Sequence, residues 1–455
     1  MPTRHLTTVS RPLASTSDAG ALLARAADLD GVALLDGGDG VSILVAGGTP
    51  VVSWSGEPDA PDPLEVMAEH LSTWVCDPHP RWPFSGGLVG WFGYDVRTTL
   101  ETLPDRHARV SALPGVHLLA TRVAIAIDET AGEVELLVLE DPDDAAATDR
   151  AHEIATALAG RVLDPARDPG EVPGPPCRPD DVTRPDAGRH REAVRRARRH
   201  ILDGDVYQVN LAQRWSVPRP RDLVGFYRRL RAENPAAFGG FATANGETLL
   251  SVSPERFLRC DGVQVETRPI KGTAPRSDDP ARDAALAARL RESEKDRAEL
   301  AMIVDVMRND LSRVCVPGTV VVSRPLDVET HPTVHHLVAT VRGTLAGGRD
   351  RADLLRATLP GGSITGAPRI RAMELIDVLE PSGRGPYCGA FGYLGYDGRM
   401  DTNILIRSGF TAGDTLHFFG GGGIVAGSDP DLEEMETRHK VAGILRALTG
   451  EVTRG

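Results

Sequence analysis

No segment of this 455-residue chain is apolar for the length a bilayer requires, which excludes a membrane-spanning helix. Residues 1–15 contain two arginines but no apolar stretch behind them, so no secretion signal is expected. The five cysteines (Cys76, Cys177, Cys260, Cys315 and Cys388) are scattered without a CxxC pair. That speaks against a zinc site or a disulfide framework and fits a reducing cytosol. Lysine is almost missing and arginine far outnumbers it, while Ala, Gly, Pro and Asp abound. This pattern reads as the bias of a GC-rich genome. Positive charge is short overall: the net charge of −13 argues against a nucleic-acid partner, whose phosphates would be repelled. It does not exclude a small anionic substrate, because a few local cations override a distant field. With 41% hydrophobic and 25% charged residues, the composition is that of a soluble globular protein, expected in the cytoplasm.

Residues 31–53 read as a strand hairpin, GVALL and VSILVA around the turn DGGDG, and a second follows at 121–139 around DETAG. Between them GGLVGWFGYD (86–95) is too glycine-rich for a helix and reads as strand and turn. A helix over 144–163 leads into the proline-rich stretch 165–185, a linker by composition. Beyond it, helices are predicted at 189–203, 222–234, 280–309, 349–358, 367–379 and 429–448. Strands are predicted at 206–217, 237–243, 248–253, 319–323, 387–395, 402–409 and 415–419. This divides the chain into a strand-rich part (1–140), a helix and linker (141–185) and a mixed helix-and-strand part (186–450). The interspersion implies one large α/β domain to which 1–140 adds strands.

Three patterns could carry chemistry. In SEKDRAELAMIVDVMRND (293–310), Leu300, Ile303, Val304 and Met307 form an apolar stripe, leaving Asp296 and Glu299 adjacent at i, i+3. In SDPDLEEMETRHK (428–440), Asp429 is placed to cap a helix, with Glu433, Glu436 and Lys440 on one face. Two such faces opposed would suit Mg2+, which takes a few carboxylates plus water and substrate oxygens; for either helix alone, a solvated face explains the pattern better. The glycine-rich runs 361–369 and 418–425 allow backbone N–H groups to approach an anion before a helix start. Neither matches a nucleotide-binding loop, which leaves a carboxylate as the better guest or, for glycines 420–423, tight packing. Third, Lys271 stands among Pro and Gly, where burial would make it a nucleophile and exposure an ordinary loop lysine. Glu255 and His336, each beside apolar residues, fit a structural role better than a catalytic one on this pattern alone.

Taken in order, GDVYQVNLAQR (204–214), SPERF, RPIKGT, AELAMIVDVMRNDLSRV (298–314), VHHLVATVRG (334–343), GGSITGAPR, YCGAFGYLG, NILIRS, GGGGIV and SDPDLEEMETRHK resemble the chorismate-utilising enzymes. These comprise the large subunits of anthranilate synthase and aminodeoxychorismate synthase, and the isochorismate and salicylate synthases. The resemblance spans roughly residues 200–445 and is weaker before 140. It implies the α/β (α+β) fold of anthranilate synthase component I, with large mixed or antiparallel sheets packed with helices.

The resemblance also implies roles. Glu299 and Glu436 match the glutamates that bind Mg2+, with Asp296 and Glu433 in a water-mediated shell. The ring carboxylate of chorismate would meet the metal, Ser363, the backbone of Gly421, Gly422 and Gly423, and Lys440. Tyr387 and Arg407 match the pair that grips the enolpyruvyl carboxylate, which a planar guanidinium suits. His336 matches the active-site histidine, and Thr365 shares the loop of Ser363. Isochorismate and salicylate synthases place a water-activating lysine where this chain has Gln208, and an amide cannot serve as that base. Anthranilate synthases have alanine where this chain has Lys271, as aminodeoxychorismate synthases do. There the lysine is thought to attack ring C2 as the C4 hydroxyl departs, with Glu255 matching the acid. Asn210 in YQVNL also resembles this branch.

Arg369 and Leu300 depart from the usual lysine and His or Asn. The segment Leu34-Leu35-Asp36-Gly37 lacks the serine of tryptophan-inhibited relatives, so no tryptophan feedback is expected. The implied activity is amination of chorismate at C4, on the route to 4-aminobenzoate for folate or a secondary metabolite. Ammonia would come from a separate glutamine amidotransferase. The alternatives are an anthranilate synthase, or a non-catalytic chorismate-binding paralogue, which would usually have lost part of the site.

Overall fold

The computed structural model describes residues 3–451 except 39, 58 and 333, which leaves Asp39 of the first expected turn outside the described residues. Two large sheets dominate. In the larger, of twelve strands, the order runs from Gly366–Ala367 through Gln208–Pro218, Thr415–Ile424, Ser408–Ala412, Glu247–Ser253 and Phe238–Ala244. It continues through Ala33–Asp36, Val41–Val45, Val123–Asp128, Glu133–Glu140 and Arg4–Pro12 to Trp74–Cys76. Nine of the ten strands of the smaller sheet run in the order Ile270–Pro275, Val334–Thr344, Gln264–Thr267, Arg256–Asp261, Met400–Ile404, Ala390–Gly395, Gly87–Phe92, Val116–Thr121 and Thr49–Trp54, and the tenth, Val321–Thr330, pairs with Val334–Thr344. Pairing is antiparallel, save for Arg4–Pro12 against Trp74–Cys76. Strands from before residue 140 sit in both sheets beside strands from after 200, so each half of the chain completes the other's hydrogen bonding.

Period-two alternation explains the layering. Leu35, Ile43 and Ala126 point one way, into a core shared with Leu88, Trp91 and Leu118 of the smaller sheet. Their neighbours Leu34, Leu44, Ile125 and Ile127 point the other way, against Leu22, Leu158, Phe226 and Ile444 from four helices. Both faces of these strands are buried, which is why VAIAI reads as a continuous apolar run. Each such Leu or Ile contributes about 2 kcal/mol relative to an exposed one.

Several expected boundaries change. The single helix predicted over 280–309 is two, Pro280–Glu292 and Glu294–Ser312. Ser293 has extended backbone and accepts from the Asp296 N–H, capping the second helix for about 1 kcal/mol. The strand expected over 415–419 is longer: Thr415–Ile424 passes straight through the glycine run. Residues 165–185 form two short 3-10 turns, with Thr183 bridged to Ser216 and the Cys177 N–H donating to the Leu448 carbonyl.

Candidate active site

Two crossings between the sheets lie side by side. The chain leaves the larger sheet at Ser253 and enters the smaller at Arg256, with Glu255 on the step. It returns between Met400–Ile404 and Ser408–Ala412, which divides the strand expected over 402–409 and puts Arg407 on the return. The Ile404 N–H donates to the Glu255 carbonyl (3.0 Å), the Val252 N–H to the Arg407 carbonyl (3.1 Å), and the Ser253 hydroxyl to the Ile404 carbonyl (2.6 Å). Arg407 has a φ of 51°, a left-handed conformation costing an ordinary residue about 1 kcal/mol or more. Strain of that kind persists where the surroundings over-determine it, as these bonds do.

Glu255 is buried at 6% exposure. Burial pushes its carboxyl up to about 7, although Lys271, the Ser363 hydroxyl, the Ile270 N–H and Lys440 pull the other way. A carboxyl in that range holds a proton at neutral pH and can give it up, as a general acid must. Lys271 is half-buried on strand Ile270–Pro275. Enclosure lowers its ammonium pKa first and Lys440 second, against the pull of Glu255, Glu299 and Glu436. Gly272 follows with a φ of +69°, and a Cβ there would lie 2.9 Å from the Asp296 side chain. The lysine strand and the first acidic helix are therefore in close contact.

His336 sits across the strand pair from Thr273, whose hydroxyl is 3.1 Å from Nδ1. Burial, helped by His331 and Arg407, holds its imidazole down to about 4, so the ring is neutral at physiological pH. Tyr387 is buried and stacks on Phe419 with centroids 4.8 Å apart. Its ring and Arg407 are close enough to interact electrostatically. Ser363 joins Glu255, whereas the Thr365 hydroxyl is committed to the Gly361 carbonyl at 2.9 Å and shapes the loop from within. Gln208, 1% exposed, has no protein partner for either amide atom, and Asn210 none for its carbonyl oxygen. Unpaired buried amides cost about 1–3 kcal/mol each and mark groups aimed at a ligand.

The acidic faces meet here. The apolar stripe Leu300, Ile303, Val304 and Met307 is buried as its spacing requires, leaving Glu299 half-buried and close to Lys271, Lys295 and Glu436. From helix Pro430–Thr449, capped by Asp429, Glu436 pairs with Lys440 at 2.6 Å, and Lys440 donates to the Gly421 carbonyl at 2.8 Å. Glu433 accepts from Ser428 at 2.6 Å. Burial raises Glu299 and Glu433; for Glu436 it is outweighed by Lys440, Lys295 and Lys271, and the pKa falls. The glycines make this approach possible. A Cβ on Gly420 would lie 2.4 Å from the Thr437 carbonyl, one on Gly422 3.2 Å from Glu433 Oε2, and one on Gly423 2.7 Å from Gln208 Nε2. Among the described residues no three His, Cys, Asp or Glu side chains gather closely enough to cage a metal alone. Two glutamates with water and substrate oxygens suit Mg2+, which seldom uses an all-protein cage.

Two groups were not singled out from the sequence. Arg384, 1% exposed, donates to the Ile364 and Asn210 carbonyls and pairs with Glu380 beneath the loop of Ser363. Lys295 lies 3.8 Å from Glu299. The chain has three lysines, 271, 295 and 440, and all of them act on this one cluster of carboxylates.

The model of the chorismate-binding enzyme family matches residues 33–446. The chain belongs to that family. Aminodeoxychorismate synthase component 1 of Salmonella typhimurium is 41% identical over 389 residues, 85% of this chain and 82% of that one. Anthranilate synthase component 1 of Streptomyces coelicolor is 40% identical over 428 residues, 90% of this chain and 82% of its own. The crystal structure of anthranilate synthase component I from Streptococcus pneumoniae superposes with a TM-score of 0.77 at 29% identity, covering 89% of this chain and 92% of that one. The menaquinone-specific isochorismate synthase of Escherichia coli shares the fold (TM-score 0.73, 21% identity, 98% and 95% coverage). The expected anthranilate synthase component I-like architecture is therefore present. No described helix is long and apolar enough to cross a membrane.

Proposed function

We propose that this chain aminates chorismate at C4 to give 4-amino-4-deoxychorismate, with ammonia supplied by a glutamine amidotransferase subunit. The observation that carries the reading is the pairing of Lys271 with Glu255 in one enclosure, a lowered amine facing a raised acid. The Lys271 amine forms a bond to ring C2, both ring double bonds shift (C1=C2 to C1=C6, C5=C6 to C4=C5) and the C4–O bond breaks, with the Glu255 proton leaving on the hydroxyl as water. Ammonia then bonds to C4, both double bonds return to their first positions, the C2–nitrogen bond breaks, and Glu255 takes up the proton the new amine loses. The amide oxygens of Gln208 and Asn210 are acceptors for the N–H groups of ammonia, and neither can deprotonate water.

Arg407 and Tyr387 would hold the enolpyruvyl carboxylate, and Lys440 and Ser363 the ring carboxylate. Glu299 and Glu436 would hold Mg2+, with Asp296 and Glu433 behind them; its charge would neutralise the ring carboxylate. His336 stays uncharged beside the substrate and donates or accepts without adding charge. The enolpyruvyl group is kept, because no step generates pyruvate.

The second reading, an anthranilate synthase, is favoured by the similarity of that branch at 40% identity. Turnover of chorismate with Mg2+ and an ammonium salt tests both. Aminodeoxychorismate without pyruvate supports the first, fluorescent anthranilate with pyruvate supports the second, and no turnover at any ammonium concentration counts against either.

A further inference from the structure

The rarity of lysine has a spatial meaning. Among the described residues arginine makes most of the ion pairs, often with two nitrogens on one carboxylate, as Arg167 does on Asp28 and Arg256 on Asp401. The three lysines occur only where the carboxylates are candidates to hold a metal. Glu299 and Glu436 each have a lysine four residues away on their own helix, Lys295 at 3.8 Å and Lys440 at 2.6 Å. Lys440 is also tied to the Gly421 carbonyl. Lys295 has no such tie: its side chain is 66% exposed at the rim, and its charge is felt by Glu299, Glu433, Glu436 and Asp296.

A single ammonium on a flexible stem makes a releasable contact, unlike the rigid fork of arginine. A positive charge at that rim opposes a divalent cation and favours a dianion. We infer that Lys295 is a positioning residue that balances the site, weakening its hold on the metal while strengthening its hold on the dianionic substrate. Without it, four carboxylates would face only two lysines and would bind the divalent cation before any substrate arrived. The cation would then hold water where the ring carboxylate must enter. With it, metal and substrate assist each other.

The inference rests on reading this site as the Mg2+ site, and calorimetry of the full chain separates the two. Wild type, Lys295→Gln and Lys295→Arg are titrated with Mg2+ alone, then with chorismate in saturating Mg2+ and no ammonia. The expected result for Lys295→Gln is Mg2+ binding about three- to tenfold tighter and chorismate binding weaker by a similar factor. Both differences should shrink in 0.5 M KCl, as screening requires. Lys295→Arg should keep both affinities within about twofold, because the charge is retained. Mg2+ binding to Lys295→Gln that equals or falls below wild type overturns the inference while leaving the site reading intact. A wild type that binds no Mg2+ at millimolar concentration overturns the site reading, and the inference with it.

Discussion

Arg384 and Glu380, four residues apart just past the end of helix Arg369–Leu379, form an ion pair of 2.6 Å with side chains 1% and 5% exposed, directly beneath the candidate active site. The pair is saturated: Arg384 also donates to the Asn210 and Ile364 carbonyls, and Glu380 accepts from the Ala212 N–H. It thus ties strand Gln208–Pro218, which carries Gln208, to the loop of Ser363. Arg384→Met should cost about 3–5 kcal/mol in urea unfolding, because it strands a buried carboxylate. Pairing it with Glu380→Leu should recover a substantial part. If the double variant is no better than the single one, the ion pair is not the source of the loss.

Glu255 should reveal its environment through stability. Its folded pKa, about 7, lies above the ordinary 4.5, so between those values the unfolded chain has released a proton that the folded one retains. Stability contributed by this group therefore falls as pH rises from about 4.5 to about 7 and stays reduced above that. Glu255→Gln should be inactive yet about 2–3 kcal/mol more stable than wild type at pH 8, with no such gain at pH 4. Equal stability of the two proteins at pH 8 would show that the carboxyl is not raised. In wild type, kcat should decline above about pH 7 as the acid loses its proton.

Gly272 joins the lysine strand to the acidic helix. Alanine there meets a left-handed φ of +69°, with Leu290 2.8 Å and Asp296 2.9 Å from its Cβ. The expected loss is about 2–4 kcal/mol of stability, with a larger proportional drop in kcat than in chorismate affinity, because Lys271 is displaced while Arg407 and Tyr387 are not. A variant with wild-type kcat would show that Lys271 tolerates movement.

Removing either proposed metal ligand should be felt directly. Glu299→Gln and Glu436→Gln should each weaken Mg2+ binding about tenfold or more, and chelation of the metal should stop turnover until Mg2+ is restored. Undiminished calorimetric Mg2+ affinity in both variants would place the ion elsewhere.

Much of the site could be read from the sequence because its parts obey local rules. The i, i+3 and i, i+4 spacing set Glu299 against the stripe from Leu300 to Met307, and Asp429 marked a helix start that exists. What stayed hidden depends on long-range contacts. No local pattern says that the chain changes sheets at Glu255 and again at Arg407, and it is those crossings that bring 255, 271 and 407 together. The Gly420 run fitted anion approach or tight packing equally, and the strand was expected to stop at 419 because glycine is rare inside strands. Here helix Pro430–Thr449 lies against the strand, and a Cβ on Gly420 would meet the Thr437 carbonyl. The break at Ser293 was legible as Ser-x-x-Asp, but the apolar pattern on either side masked it. Lysine scarcity passed for genomic bias, which does not account for where the three lysines stand.

The central claim is that Lys271 performs C4 amination. The most direct measurement is mass spectrometry of the products formed from chorismate, Mg2+ and an ammonium salt, by wild type and Lys271→Ala. The account predicts aminodeoxychorismate from wild type and its loss in the variant. Anthranilate and pyruvate from wild type, or undiminished aminodeoxychorismate from Lys271→Ala, would contradict it.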